Sequence, residues 1–256
     1  MLKKTLIRLV AKALIYIRTW WEKNECAGAS AYDIPDIRDY SAPEINPPKA
    51  KMPVNFSLLK KMIKYKWKAD KQKDSECTAF SKIYQAEGVN SIWNDKLVKL
   101  DPWRQWHNQE QTGAKQGQGD SIQNSQEQYR KDPQGYPIYK YFRLMYSGDE
   151  LIRQMKLWIY SHYCPIQTGV KWRRFANGKD NYYNTKKTGV YEPFVGGKVI
   201  GAHAVVITGW KGNFWEIKES LLNQWEEHTE LGVFYVHMDN TRHLFSKYVV
   251  KDARDD

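Results

Sequence analysis

Cysteine is scarce in this chain: Cys26, Cys77 and Cys164 are the only three among 256 residues. An odd, widely spaced set argues against a disulfide framework and fits a reducing compartment, so a cytoplasmic or virion-associated location is expected. None of the three forms a Cys-x-x-Cys pair or stands near histidine at metal-ligand spacing, so no metal site is expected. Long apolar runs are also missing. In MLKKTLIRLVAKALIYIRTWW, Arg8 and Lys12 interrupt the hydrophobic residues, which excludes a clean membrane span and leaves no clear secretory signal. Acidic residues number 29 against 40 lysines and arginines, giving a formal charge of +11. That excess suits an acidic partner or simply a basic solvated surface. No zinc knuckle, aromatic-glycine RNA-binding signature or phosphate loop accompanies it, so no specific nucleic acid is expected.

Aromatics, by contrast, are abundant, with 11 tryptophans and 17 tyrosines, and 41% of residues are hydrophobic. Such a chain buries a core, as one large domain or as two lobes sharing a cleft. Leu2, Leu6, Leu9, Val10, Ala13, Leu14, Ile17 and Trp20 recur at helical spacing opposite Lys4, Arg8 and Lys12. Residues 1–30 are therefore expected to form an amphipathic helical extension, with residues 1–24 docking on the protein's own body or on an assembly partner. Prolines 35, 43, 47, 48 and 53 mark an extended segment after it.

Residues 31–256 are expected to form one domain of α+β order, helical over about 55–135 and sheet-rich over about 136–250. KDSECTAFSKIYQAEG predicts an amphipathic helix with Ser75 as N-cap and Ala79, Phe80, Ile83 and Tyr84 as the buried face. Residues 105–135 are rich in glutamine and glycine and predict a loop, then a short helix from about Asp120. YPIYKYFRLMY alternates as a strand, SGDELIRQMKLWIYSHY predicts a helix capped by Ser147, and CPIQTGVKW predicts another strand. VIGAHAVVITGWKG, FWEIKES and GVFYVHM predict successive strands, and no internal repeat is present.

Cys77 stands at the mouth of a predicted helix, and His203 lies far downstream in a predicted strand. Their separation is close to the roughly 130–150 residues between nucleophile and histidine in papain-type peptidases. The likeness extends along the chain. ECTAFSKIYQAEG resembles the SCxAFS helix of the papain-like cysteine peptidases. TKKTGVYEPFVGGKVIGAHAVVITGWKGNFWEIKES resembles that family's course from a GVY turn through GGHAVxIxGW to WxIKNS. IPDIRDYSAPEI with MPVNFSLLKK resembles the mature N-terminal arm, LDPWRQW the LSPQxL region, and GQGDSI a glycine-led helix start. The resemblance spans about residues 33 to 238.

It implies a helical left lobe, a β-barrel-like right lobe and a cleft between them. It also implies a thiol peptidase that needs no cofactor and acts on peptide or protein substrates. Cys77 takes the nucleophile's place and His203 that of its proton-transfer partner. Gln72 takes the place of the oxyanion donor, beside the Cys77 N–H.

Three departures accompany the likeness. The Asn-Ser-Trp-Gly motif, whose asparagine orients the imidazole, is degenerate: in register, Glu219 stands at the asparagine position. A carboxylate can accept an imidazole N–H, although its side chain is one methylene longer; Asn223 is the alternative orienter. Gln72 stands five positions before Cys77, where the family has six. Asp74 and Glu76 flank the approach to the nucleophile, where a negative charge in the cleft would oppose thiolate formation.

Two functions are therefore expected. One is peptide-bond hydrolysis through Cys77 and His203. The other is a papain-fold protein with impaired catalysis, serving as a structural or binding subunit of a larger assembly such as a phage virion. The remaining histidines, His107, His162, His228, His237 and His243, are expected to be surface or core residues. Trp103, Trp106, Trp158 and Trp172 are expected to pack, and Cys164 to be a buried strand residue.

Overall fold

The computed structural model describes residues 42, 43, 45, 51–67, 70, 72, 75–116, 119–138, 140–193, 197–220 and 232–251. The N-terminal helical extension, Cys26, Asp74, Asn223 and His228 lie outside the described residues.

Chain order begins with β1 (Asn55–Ser57) and α1 (Leu58–Lys64), followed by the central helix α2 (Cys77–Trp93). Helices α3 (Pro102–Glu110) and α4 (Ile122–Lys131) follow, then β2 (Lys140–Arg143), α5 (Gly148–Ser161) and β3 (Ile166–Arg174). After α6 (Asn181–Thr188) come β4 (Val190–Tyr191), β5 (Lys198–Lys211), β6 (Phe214–Lys218) and β7 (Val233–His237). A 3-10 turn (Met238–His243) leads into β8 (Phe245–Lys251). The strands form one sheet in the order β2-β8-β3-β5-β6-β7-β4, with β1 added to β5. All pairings are antiparallel except β4 with β7. The expected helical and sheet-rich parts are both present. The right-hand part is an open sheet rather than a closed barrel, because β2 and β4 end the path without pairing to each other.

Helix α2 departs most from expectation. Ala79, Phe80, Ile83 and Tyr84 are buried as predicted, yet every residue from Cys77 to Ser91 is buried. The helix is enclosed rather than amphipathic, so its polar side chains must find partners inside the protein. Lys82 Nζ donates to Gln85 Oε1 (3.0 Å) and Gln126 Oε1 (2.6 Å) and sits 4.9 Å above the Tyr129 ring. Gln85 Nε2 reaches the carbonyls of Pro165 and Tyr248, both at 2.8 Å. Gln167 of β3 donates to Thr78 O (3.0 Å) and Ser81 Oγ (2.8 Å). Glu87 accepts from Trp67 Nε1 (2.7 Å) and Leu100 N (2.9 Å). At Gly88, a Cβ atom would come within 2.9 Å of Pro165 Cγ and 3.1 Å of Met62 Sδ, so only glycine allows this close approach.

The helix starts also differ in detail. Glu76, not Ser75, is the N-cap of α2, and its side chain makes no capping bond. The stretch from residue 105 predicted as loop is largely helical, because Asp101 accepts from Trp103 N and Arg104 N and Pro102 opens the first turn. Ser121 caps α4 through Asn124 N. Ser147 occupies the N-cap of α5 but makes no side-chain capping bond. Cys164 is buried just ahead of β3, where Val250 N donates to its sulfur (3.3 Å). No helix among the described residues is long and apolar enough to cross a membrane.

Burial without a carboxylate partner pushes the Lys82 ammonium down to about 7. At acid pH, folded and unfolded chains both carry this proton and the folded state bears the desolvation penalty. Between about 7 and the ordinary lysine value, only the unfolded chain carries it, so the Lys82 contribution to stability rises with pH. Relative to wild type, Lys82→Met should therefore be favoured at about pH 6, and the advantage should shrink by about 1–3 kcal/mol towards pH 10. Urea unfolding of both proteins across that range measures it. A constant difference would show that Lys82 keeps its charge in the folded core and that burial does not lower it.

Candidate active site

Three segments meet around His203. The first is the start of α2, which carries Cys77 at its first helical position, 3% exposed. Backbone N–H groups of a first helical turn have no intrahelical acceptors and give this end a positive potential. The second is β5, in which His203 pairs with Val170 of β3. The third is the residue following β6. Glu219 continues the β6–β7 ladder by donating its N–H to Gly232 O (3.0 Å) and is almost wholly buried.

The imidazole joins these segments. His203 Nε2 lies 3.3 Å from Glu219 Oε2, and Cys77 is the second side chain that acts on the ring. With Nε2 turned to the carboxylate, Nδ1 is the nitrogen left for the sulfur. Burial pushes the imidazolium towards losing its proton, the largest single influence. The hydrogen bonds and charges of Cys77 and Glu219 together outweigh it and raise the group to about 9. The extra methylene of glutamate is accommodated, because Glu219 reaches the ring from the strand end.

The Glu219 charge also acts on other neighbours. It adds to the burial that raises Tyr182 to about 12 and holds Tyr84 well above the ordinary tyrosine range. Lys218 donates to the Glu219 carbonyl and lies 5.1 Å above the Tyr84 ring. Burial lowers the Lys218 ammonium to about 8, with Glu219 opposing that change.

Gln72 is buried against the same strand end. Its backbone N–H donates to Ser220 O (3.2 Å), and its Oε1 accepts from the Ser220 hydroxyl. The candidate oxyanion donor and the candidate orienter are thus tied to adjacent residues, Ser220 and Glu219.

Glu76 does not turn to solvent. It is 2% exposed, and its Oε1 accepts from Gln116 Nε2 at 3.3 Å. The carboxylate is therefore held on the α3–α4 connection rather than capping the helix whose start it occupies.

Two contributors escaped the sequence reading. Ser220 was visible as the serine of IKES, at the place of the serine in the family's IKNS. Trp172 gave no signal beyond packing, yet its indole stacks on His203 with centroids 6.4 Å apart and planes at 27°. The other described histidines lie elsewhere: His107 on α3, His162 at the C-cap of α5, His237 at the N-cap of the 3-10 turn and His243 at its last position. No metal-binding group of three or more His, Cys, Asp or Glu residues occurs among the described residues. Cys164 lies outside the His203 cluster, and burial pushes its thiol up to about 12.

The sequence matches no family model and no curated protein. Solved structures do match. Xylellain, a cysteine protease from Xylella fastidiosa, superposes with a TM-score of 0.64 at 17% identity, covering 90% of this chain and 97% of that one. A procathepsin B from Trypanosoma congolense gives 0.58 at 13% identity, covering 91% and 89%. A Carica candamarcensis cysteine protease in complex with E-64 gives 0.54 at 16% identity, covering 77% and 97%. The fold of this chain is the papain-like cysteine protease fold.

Proposed function

We propose that the protein is a papain-like cysteine peptidase that hydrolyses peptide bonds through Cys77. The observation that carries this reading is the convergence on His203 of Cys77, at the first position of α2, and of Glu219, whose Oε2 lies 3.3 Å from Nε2.

In this mechanism Cys77 and His203 rest as a thiolate–imidazolium pair. The sulfur attacks the peptide carbonyl carbon, and the carbonyl π electrons move to oxygen. The Cys77 N–H and the Gln72 amide receive that oxyanion, each donor being worth about 3 kcal/mol in sites of this kind. As the tetrahedral intermediate collapses, the C–N bond breaks and His203 gives its proton to the leaving amine. A thioester remains. Neutral His203 then takes a proton from water as the hydroxyl attacks the thioester carbonyl. Collapse expels the Cys77 thiolate and restores the pair. Glu219 fixes the ring so that one nitrogen serves the sulfur, and its charge stabilises the imidazolium.

A second reading, a binding or structural subunit of a larger assembly with impaired catalysis, is favoured by Glu76. A carboxylate buried one residue ahead of the nucleophile adds negative charge where a thiolate must form.

An epoxysuccinyl probe should label Cys77 stoichiometrically near neutral pH, and His203→Ala should abolish the reaction; peptide mapping identifies the modified cysteine. Labelling at the rate of an unfolded-protein thiol would decide for the second reading. For peptide turnover, kcat/KM should fall as pH rises through about 9, because His203 then loses the proton needed by the leaving amine. An alkaline limb near the ordinary histidine value would show that Glu219 does not hold the proton. Glu219→Ala should lower kcat by roughly 10- to 100-fold and Glu219→Asn by much less. Full activity in the alanine variant would remove Glu219 from the mechanism.

A further inference from the structure

Trp172 lies in β3, two residues beyond Val170 and on the same face of the strand, and Val170 is the register partner of His203. Its indole is 7% exposed and forms an offset stack on the His203 ring. Three other rings hold it there. Tyr182 of α6 meets it edge-on at 5.0 Å, Tyr191 of β4 at 5.7 Å, and Phe234 of β7 lies at 6.3 Å. The indole is thus held from three elements while it stacks on the imidazole. Along the sequence, Glu219 is followed by Ser220 and Leu221, so this chain has leucine where the family's Asn-Ser-Trp-Gly motif has its tryptophan.

We propose that Trp172 is a positioning residue for the His203–Glu219 pair: its indole walls the pair from water and sets the imidazole plane so that the two ring nitrogens face Glu219 and Cys77. The inference rests on the peptidase reading for its catalytic consequence, but the geometry it assigns does not require turnover.

Excluding water strengthens the attraction between an imidazolium and a carboxylate. At a fixed distance, lowering the effective dielectric from that of water to about 20 strengthens the pair roughly fourfold. The same wall also raises the desolvation penalty on the ring. The partner effects outweigh that penalty in this site. Opening the wall relaxes both influences and moves the imidazole down towards its ordinary value. The titratable and charged groups around it are Cys77 from α2 and Glu219 beyond β6, with Tyr182 and Tyr191 behind the indole. Asp180 acts on Tyr182, and Arg173 acts on Tyr191.

The test uses the full chain with isotope-labelled histidine and follows the His203 ring by NMR. The signal is assigned by its loss in His203→Gln. In wild type, the His203 ring N–H should exchange with water at least about tenfold more slowly than that of an exposed imidazolium. In Trp172→Leu the titration midpoint should fall by about one pH unit or more, while Trp172→Phe should keep most of the wild-type value. Peptide turnover by the leucine variant should show lowered kcat with KM little changed, and an alkaline limb displaced to the same extent. A folded leucine variant with the wild-type midpoint would overturn the proposal. So would a wild-type ring N–H that exchanges at the exposed rate, a measurement that needs no variant to fold. An inactive wild-type chain with a slowly exchanging, Trp172-sensitive imidazole would keep this inference and sink the peptidase reading. An active chain whose His203 ignores Trp172 would do the reverse.

Discussion

Gln167 ties the first turn of the central helix to the sheet. From β3 its amide donates to the carbonyl of Thr78, the residue after Cys77, and to Ser81 one turn further on. Three residues along the same strand, Val170 pairs with His203. A single buried side chain therefore relates the depth of the helix to the strand that carries the histidine's neighbour. The remainder of the buried polar layer, Gln85, Gln126 and Lys82, extends that tie across α4 and towards β8. In the low-dielectric interior each unmade bond would carry a full desolvation penalty, so this layer specifies one register of helix on sheet. Sulfur and imidazole meet because that register is fixed.

The site is built on a redistribution of charge. An amide at the orienting position would hold the imidazole by a hydrogen bond alone, whereas Glu219 adds a formal negative charge in a buried setting. The consequences spread to Tyr84, Tyr182 and Lys218, all of which sense that charge. Glu76 brings a second carboxylate to the start of α2, where it accepts from Gln116. Glu219 favours the protonated histidine, while the helix N-terminus and the imidazolium supply the positive potential that a thiolate needs.

Much of this was legible in the sequence. Cys77 and His203 sit in stretches whose order and spacing are specific, and the register of FWEIKES sets Glu219 opposite the asparagine of the family's IKNS. What was lost follows from non-local partners. The helix pattern of α2 was read as one-sided because Lys82, Gln85 and Glu87 look like a solvated face; only the sheet and α4 reveal that they are covered. Asp101-Pro102 is a helix start whose signal was masked by the glutamine-rich stretch after it. Trp172 looked like packing because nothing in a strand sequence says which ring an indole will lie against. Ser220 was in view but had no assigned role until Gln72 was found beside it.

The buried ammonium groups carry a consequence for behaviour in base. Lys82 and Lys247 are each lowered to about 7 by burial, and Lys218 to about 8. As alkali removes their charge from the interior, their contribution holds the surrounding shell more firmly, while His203 loses its proton only near about 9. Shell and centre therefore respond to alkali in opposite directions. His203 can thus lose its proton while the chain stays folded, and a return to neutral solution would restore it without any need to refold.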